Sequence, residues 1–401
     1  MRIRFSRLFP ALVFLVLLAG CSGGGSSPSP QENLQNVVNA DWTQYQQAHG
    51  VPGGGMAVYL ETPTGNYFAS CGMPPGVDQN TRFRIASNTK TFTAAAIMLL
   101  AQQGKLNLDD TIVSNIPGQG IPYVPNTAQY NIPNKSSIKI SQLLSHTAGV
   151  FDVTNANIPD SGVCAGQPYA GQSYITYQEN IDPNHSFTPD EFVGVDATCQ
   201  LSYFAPGAGY KYSNTGYSLL AIIIKQVSGL EYDQFVAQNL IALNALTYTT
   251  VPTFGWDQTI PPPFTPAYIW INNVLTEATD SNMSANIAEG NIISTPADLA
   301  RWIKRLIKAQ AGPNAASVAA MITPNPLSGT ANYGFGISYT PGLGYGHEGA
   351  HQGYLSLMVY DPSVDVTTIL YFNVWDYANL FTDQGTLLRQ AAKDARAAVG
   401  Y

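Results

Sequence analysis

Two residues three apart open the case for chemistry. Ser87-Asn88-Thr89-Lys90 sets a hydroxyl and an amine at i and i+3, at the head of an alanine-rich stretch (87–103) that stops at Gly104 and reads as a helix. On a helix this spacing puts both side chains on one face, so the amine can take the proton that turns the hydroxyl into a nucleophile. The run 81–85 alternates like a strand, which places Ser87 where a strand meets a helix N-terminus. There its own N–H and the helix dipole favour a developing oxyanion. Spacing alone is weak, because Ser136-Ser137-Ile138-Lys139 repeats it in a stretch that reads as extended, where i and i+3 point to opposite faces. The bland alternative for Ser87 is an N-capping serine with a surface lysine one turn on.

A serine needs a base. Gly-x-Ser-x-Gly is absent, which disfavours a nucleophile elbow, and two candidates stay open: Lys90 with a lowered pKa, or a tyrosinate. Tyr212-Ser213-Asn214 follows Pro206-Gly207-Ala208-Gly209 and opens a helix over 216–228, so its phenol lies on a loop that can reach across a cleft. The same Y-x-N spacing at 371–373 and 377–379 falls in and after a strand and reads as packing and surface polarity. His347-Glu348-Gly349 leads into a strong strand. Gly349 would let a substrate backbone lie against the strand edge, and the Ala350 N–H beyond it could complete an oxyanion hole. His351-Gln352-Gly353 is a competing frame. His347 and His351 lack a nearby third ligand, so no metal is expected.

The elements that must position these residues follow from periodicity. Leu34, Val37, Val38, Trp42 and Tyr45 recur at helical spacing over 32–48, and strand-like runs at 55–60 and 67–71 flank a Pro/Gly turn. The middle of the chain, 115–325, mixes helices with long irregular connections. Thr295-Pro296-Ala297-Asp298 there starts a helix with a hydroxyl cap, a first-turn proline and an acid. Strand patterns return at 333–339, 354–360 and 366–372, and a helix closes the chain at 383–398. The order predicts an α+β fold in which distant chain ends share one antiparallel sheet.

The chain has 401 residues, of which only 11% are charged against about 25% in an average soluble protein, and no internal repeat. Its formal charge of -8 excludes a broad basic face, and so nucleic acid as a partner. Arg2, Arg4 and Arg7 precede an apolar run at 8–18, about half the ~20 residues needed to span a bilayer, followed by Leu18-Ala19-Gly20-Cys21. Residues 1–20 thus read as a leader. The tetrapeptide resembles a bacterial lipobox, which implies cleavage before Cys21, lipidation of that thiol and attachment to a membrane of the cell envelope. Residues 21–31, rich in Gly, Ser and Pro, read as a tether, and 32–401 as the folded domain. Among the three further cysteines, Cys164 and Cys199 flank a Tyr-, Gly- and Pro-rich insertion with little core of its own. A disulfide between them would staple it, leaving Cys71 as a buried small hydrophobe.

Taken in order, Phe83-Arg84-Ile85-Ala86-Ser87-Asn88-Thr89-Lys90, Leu143-Leu144-Ser145-His146-Thr147-Ala148-Gly149, Pro206-Gly207 before Tyr212-Ser213-Asn214, Ser294-Thr295-Pro296-Ala297-Asp298-Leu299 and Gly346-His347-Glu348-Gly349 resemble the penicillin-recognising serine hydrolases. That group holds class C β-lactamases, serine D-alanyl-D-alanine carboxypeptidases and β-lactamase-like esterases, and the likeness runs from about 33 to 395. The resemblance implies Ser87 as acylated nucleophile, Lys90 and Tyr212 as proton-transfer partners, and Asn214 as a ligand of the substrate amide and of Lys90. It makes His347 the counterpart of the lysine in the family's K-T-G, a cation that would favour tyrosinate and lower the pKa of Lys90. His146 falls at a family position without a catalytic role and reads as structural. The fold the resemblance implies is an antiparallel sheet flanked by the first and last helices, with a mostly helical second region that holds Ser87 at the interface, and it requires no cofactor.

Glu348 departs from the pattern, which has Thr or Ser there to seat a substrate carboxylate. If it faces the cleft, its repulsion of such a carboxylate at ~4 Å and an effective dielectric of 20 is on the order of 4 kcal/mol; strand alternation would instead turn it to solvent. The expected function is a serine hydrolase acting on an ester or amide of a small-molecule or peptidoglycan-derived substrate, carboxypeptidase-like or an esterase. A β-lactamase and a non-catalytic cell-wall-binding protein are the alternatives. The oligomeric state has no signature in the sequence.

Overall fold

Alternation along the strands sorts the apolar residues onto two faces, and the sheet is buried on both. The computed structural model describes residues 27–377 and 382–401. The leader, Cys21, and Ala378 and Asn379 of the third Y-x-N lie outside the described residues. Six strands form an antiparallel sheet: β1 (Met56–Thr62), β2 (Gly65–Cys71), β3 (Ser338–Thr340), β4 (Gly344–His351), β5 (Tyr354–Asp361) and β6 (Val366–Phe372), in the order β2-β1-β6-β5-β4-β3. Met56, Val58 and Leu60 of β1, with Leu355, Leu357 and Val359 of β5, pack against α1 (Pro30–His49) and α6 (Thr382–Ala398) through Leu34, Val38, Trp42, Leu388 and Ala392. Their neighbours Ala57, Tyr59, Tyr354, Met358 and Tyr360 face the helical region. The α+β reading of the sequence is therefore the fold observed.

At the centre of the helical region, α2 (Thr89–Gln102) is buried on every side from Thr89 to Leu100, as a run of apolar residues and threonines interrupted only by Lys90 requires. Phe92 stacks on Trp302 of α5 (Pro296–Ile307) at 3.9 Å, and Trp302 Nε1 donates to Thr91 Oγ1 at 2.8 Å. The predicted Thr295 cap is present, its side chain accepting the Asp298 N–H.

Several expectations shift. Helix α1 begins two residues inside the expected tether, because Ser29 and Glu32 form a reciprocal capping box with Pro30 in the first turn. The strand expected over 333–339 shrinks to β3: residues 326–331 form 3₁₀ turns, and Tyr333 leaves the sheet for the interior. The segment holding Ser136 is a 3₁₀ turn over Lys135–Ser137 rather than extended, and Lys139 reaches an exposed Asp109 at 3.4 Å, remote from the cleft described below. The Cys164–Cys199 disulfide is present, but the insertion it staples owns a small core of Val153, Ile158, Phe187 and Phe192 packed around the bridge. Helix α3 (Pro189–Cys199) carries one end of it. Cys71 is free and only half-buried, since β2 is an edge strand with one neighbour.

Candidate active site

The S-x-x-K does not sit wholly on an α-helix. Residues Ala86–Asn88 form a single 3₁₀ turn ahead of α2, with Ala86 in the left-handed region (φ 50°). Lys90, in the first turn of α2, still stands over this turn, and its Nζ lies 3.2 Å from Ser87 Oγ. The turn is pinned from both sides. Asn88 Nδ2 donates to Ile85 O (2.8 Å) and to Ser356 Oγ on β5 (2.9 Å), and the Ile85 N–H donates to Ile292 O (3.1 Å). Opposite it stands Gly349 of β4, where a Cβ would lie 2.4 Å from Ile85 O and 2.8 Å from Asn88 Nδ2. The glycine thus admits the Ser87 turn itself, a use its sequence position did not suggest, while also lining the cleft.

Lys90 is wholly buried. Its ammonium donates to Ser87 Oγ and to Glu289 O (2.8 Å), with the Glu289 carboxylate at 3.6 Å. Burial pushes the Lys90 pKa down to about 8, against the opposing pull of Glu289 and Asp152. Burial likewise raises the Glu289 carboxyl to about 7, opposed by the charge of Lys90. The sequence reading missed Glu289, which carries no motif. Its one signal is a lone acid within Ile287-Ala288-Glu289-Gly290-Asn291-Ile292-Ile293, in a chain sparing with charge. Asp152 was missed as well; it is held by Thr154 and Asn155.

Tyr212 comes from the loop ahead of α4 (Asn214–Ser228), whose N-cap Ser213 receives the Gly216 N–H. Its hydroxyl is buried and makes no hydrogen bond of ordinary geometry, although Ser87 is near enough to favour its ionised form. Burial, seconded by the Glu289 charge, holds the phenol well above its usual range, so Tyr212 is neutral and the tyrosinate expectation is not met. Lys90 Nζ lies 4.8 Å from the centre of its ring. His146 packs against the same ring with centroids 4.1 Å apart, in the left-handed region (φ 57°), with Nδ1 accepting the Ser213 N–H at 3.2 Å. That contact buttresses the Tyr212 loop, which fits the structural reading of His146. Asn214 is buried beside these groups, but its Oδ1 has no partner, and Lys90 is tied to Glu289 instead.

The strand frame explains His347, Glu348 and Ala350. A two-residue turn at Gln352-Gly353 closes β4 on β5 with His351 opposite Tyr354, and such a turn ends in a hydrogen-bonded pair. Every second N–H, at Ala350 and Glu348, therefore points away from β5 toward the edge that β3 leaves open beyond Gly346. Side chains alternate as well, so His347 and Gly349 face Ser87 while Glu348 faces α6. Arg389 of α6 meets it there, Nη1 to Oε1 at 2.6 Å, so Glu348 is neither loose in solvent nor unpaired in the cleft. His347 Nδ1 bonds Glu348 O, and Nε2 bonds Tyr333 Oη at 2.9 Å. Burial, then the charge of Lys90, pushes the His347 pKa down to about 3. The expected cation at this position is thus a neutral imidazole, and the lowered pKa of Lys90 comes from burial, not from a second positive charge. His351 bonds Ser281 Oγ at 2.9 Å rather than sharing a ligand with His347.

Ser87, Tyr212, Asn214, Glu289, His347 and Ala350 all line one open cleft of about 1250 Å³ between the sheet edge and the helical region. A hydroxyl in contact with a buried amine, two outward N–H groups and a neutral phenol around one opening can perform acyl transfer.

A family model described as beta-lactamase matches residues 38–393. Penicillin-binding protein 4* of Bacillus subtilis is 27% identical over 299 residues, 70% of this chain and 58% of that protein. Protein flp of Staphylococcus aureus is 28% identical over 230 residues, 55% of this chain and 38% of that protein. The alignments thus span less than two thirds of either curated relative. Among solved structures, a D-stereospecific amidohydrolase from Streptomyces sp. matches with a TM-score of 0.68 at 27% identity, covering 86% of this chain and 94% of that one. A D-amino acid amidase from Ochrobactrum anthropi SV3 matches with a TM-score of 0.70 at 21% identity, covering 92% and 98%, and shares the fold.

Proposed function

The chain belongs to the beta-lactamase family of penicillin-recognising serine hydrolases, and from that premise we propose that it cleaves an amide or ester by passing the acyl group to Ser87 Oγ and then to water. The observation that carries this reading is the 3.2 Å contact between Ser87 Oγ and a Lys90 amine whose pKa burial has brought to about 8. A base near the working pH is the kind that shares protons well with a reacting hydroxyl. The neutral form of Lys90 takes the Ser87 proton as Oγ attacks the acyl carbon. The Ser87 and Ala350 N–H groups receive the oxyanion; as the scissile bond breaks, the neutral Tyr212 phenol protonates the leaving group and recovers its proton from Lys90. A binding protein would have no use for this proton route.

The substrate class follows from charge. The expected cation is missing from His347, and the nearest positive groups are spoken for: Lys90 faces Glu289, and Arg389 holds Glu348. This favours substrates without a carboxylate beside the scissile bond over D-alanyl carboxypeptidase substrates and penicillins. The likeness to a D-stereospecific amidohydrolase makes D-amino acid amides and their esters the first class to assay. The leader and lipobox support attachment at the cell envelope through Cys21.

The test compares kcat/KM for a D-amino acid amide, its L enantiomer, a neutral ester, a D-alanyl-D-alanine peptide and a penicillin. Intact mass is read after reaction with a fluorophosphonate on wild type and Ser87→Ala. Neutral substrates should lead and only wild type should gain mass. Equal adducts on both proteins would remove Ser87 from the mechanism, and a preference for the anionic pair would reverse the substrate assignment.

A further inference from the structure

Hydrolysis has a second half, and the residues assigned so far serve the first. Once Ser87 is acylated, a water must lose a proton as it attacks, at a time when Ser87 Oγ is an ester oxygen. Glu289 is the carboxylate placed to take it. It lines the cleft with Ser87, is 3% exposed, and stands 3.6 Å from the same Lys90 Nζ that lies 3.2 Å from Ser87 Oγ. Sharing that amine, the carboxylate lies at most about 7 Å from Ser87 Oγ, within the reach of a base that acts on a single water at the acyl carbon.

Its position is held at a cost. Ala288, just before it, sits in the left-handed region (φ 69°), as Ala86 does just before Ser87, a conformation that a residue with a Cβ adopts only under strain. The Ala288 carbonyl accepts from Thr93 Oγ1 of α2, and Asn286 Nδ2 donates to Glu289 Oε1 at 3.1 Å. The two strained turns aim their following residues at one lysine.

We propose that Glu289 is the general base of deacylation, a role that rests on the acyl-enzyme reading given above. Water attacks the acyl carbon, a C–O bond forms, and one water proton passes to the Glu289 carboxylate. The tetrahedral intermediate then breaks its C–Oγ bond and releases the acid. The proton on Glu289 returns to Oγ across Lys90, whose amine takes one proton as it gives another. Ser87 is restored as a hydroxyl and Glu289 as a carboxylate.

The charged and titratable groups that face Glu289 are Lys90 from α2, Asp152 from the loop after residues Ile140–Leu144, and Tyr212 from the loop before α4. They fix the signs. Removing the carboxylate takes away a negative neighbour that raises the Lys90 pKa, so acylation in Glu289→Gln should hold or extend to lower pH. Deacylation should fall about 100-fold or more and lose the limb that in wild type rises through about pH 7 as Glu289 ionises.

The experiment uses the whole chain and a chromogenic ester, with the burst, steady-state rate and intact mass followed in wild type, Glu289→Gln, Glu289→Asp and Ser87→Ala. A full burst on Glu289→Gln followed by a stall, with a persistent acyl mass and partial turnover in Glu289→Asp, is the expected result. Equal loss of burst and turnover in Glu289→Gln, or turnover at the wild-type rate, would overturn the assignment. An adduct on Ser87→Ala equal to that on wild type would overturn the acyl-enzyme reading as well, which separates the two failures.

Discussion

Gly349→Ala tests whether that glycine serves a substrate or the protein. The new Cβ would lie 2.4 Å from Ile85 O, 2.7 Å from Ser356 Oγ and 2.8 Å from Asn88 Nδ2. Real contacts of this kind begin above 3 Å, so the turn carrying Ser87 must withdraw by at least about 0.6 Å and give up one or both bonds from Asn88. Overpacking of this size costs about 1–3 kcal/mol, a few degrees of Tm in a chain this long. Displacing a nucleophile toward 1 Å costs on the order of 100-fold in rate. The two readings of the glycine separate by probe size. If it clears space for Ser87, a small fluorophosphonate should lose about 100-fold in acylation rate along with bulky substrates, while Tm moves little. If it clears space for substrate, the small probe should react as in wild type. Acylation of Gly349→Ala by the small probe within about three-fold of wild type would refute the packing argument.

Two further outcomes can be measured. Cys199→Ser should remove about 3–4 kcal/mol of stability, read as a lower unfolding midpoint that reductant reproduces in wild type, because the bridge closes a long loop and centres a small core. Arg389→Ala leaves Glu348 unpaired at the cleft edge and should lower the kcat/KM ratio of anionic to neutral substrates by on the order of five-fold, whereas Glu348→Thr releases Arg389 and should raise it; an unchanged ratio in both would mean that this pair lies beyond the reach of substrate.

What could be read from the sequence was what is local. Ser87 and Lys90 belong to one turn, Tyr212 opens one helix, and the strands at 354–360 and 366–372 carry their own alternation, so each was found where the structure has it. Glu289, Asp152 and Tyr333 arrive from separate loops and have meaning only once folded against Lys90 and His347. Charge state was equally hidden. The pattern gave His347 the place of a cation, and full burial beside Lys90 makes it neutral, a property of the surroundings and not of the residue. Glu348 shows the opposite case: alternation was known, but its partner lies 41 residues onward in a helix whose docking no short pattern states.

The sheet also says when this chemistry can begin. Its inner strands β1 and β6 pair Met56 with Phe372 and Glu61 with Thr367, so a loop of about 300 residues must close before they meet. Contacts of such long range fold slowly and late. The strand that seats the Ser87 turn, β4, reaches the N-terminal strands only through β5 and β6. A chain still under synthesis therefore carries Ser87 and Lys90 long before β4 and β5 arrive to seat them, and before β6 joins those strands to β1. The reacting pair is made early, and the strands that hold it in register are made last.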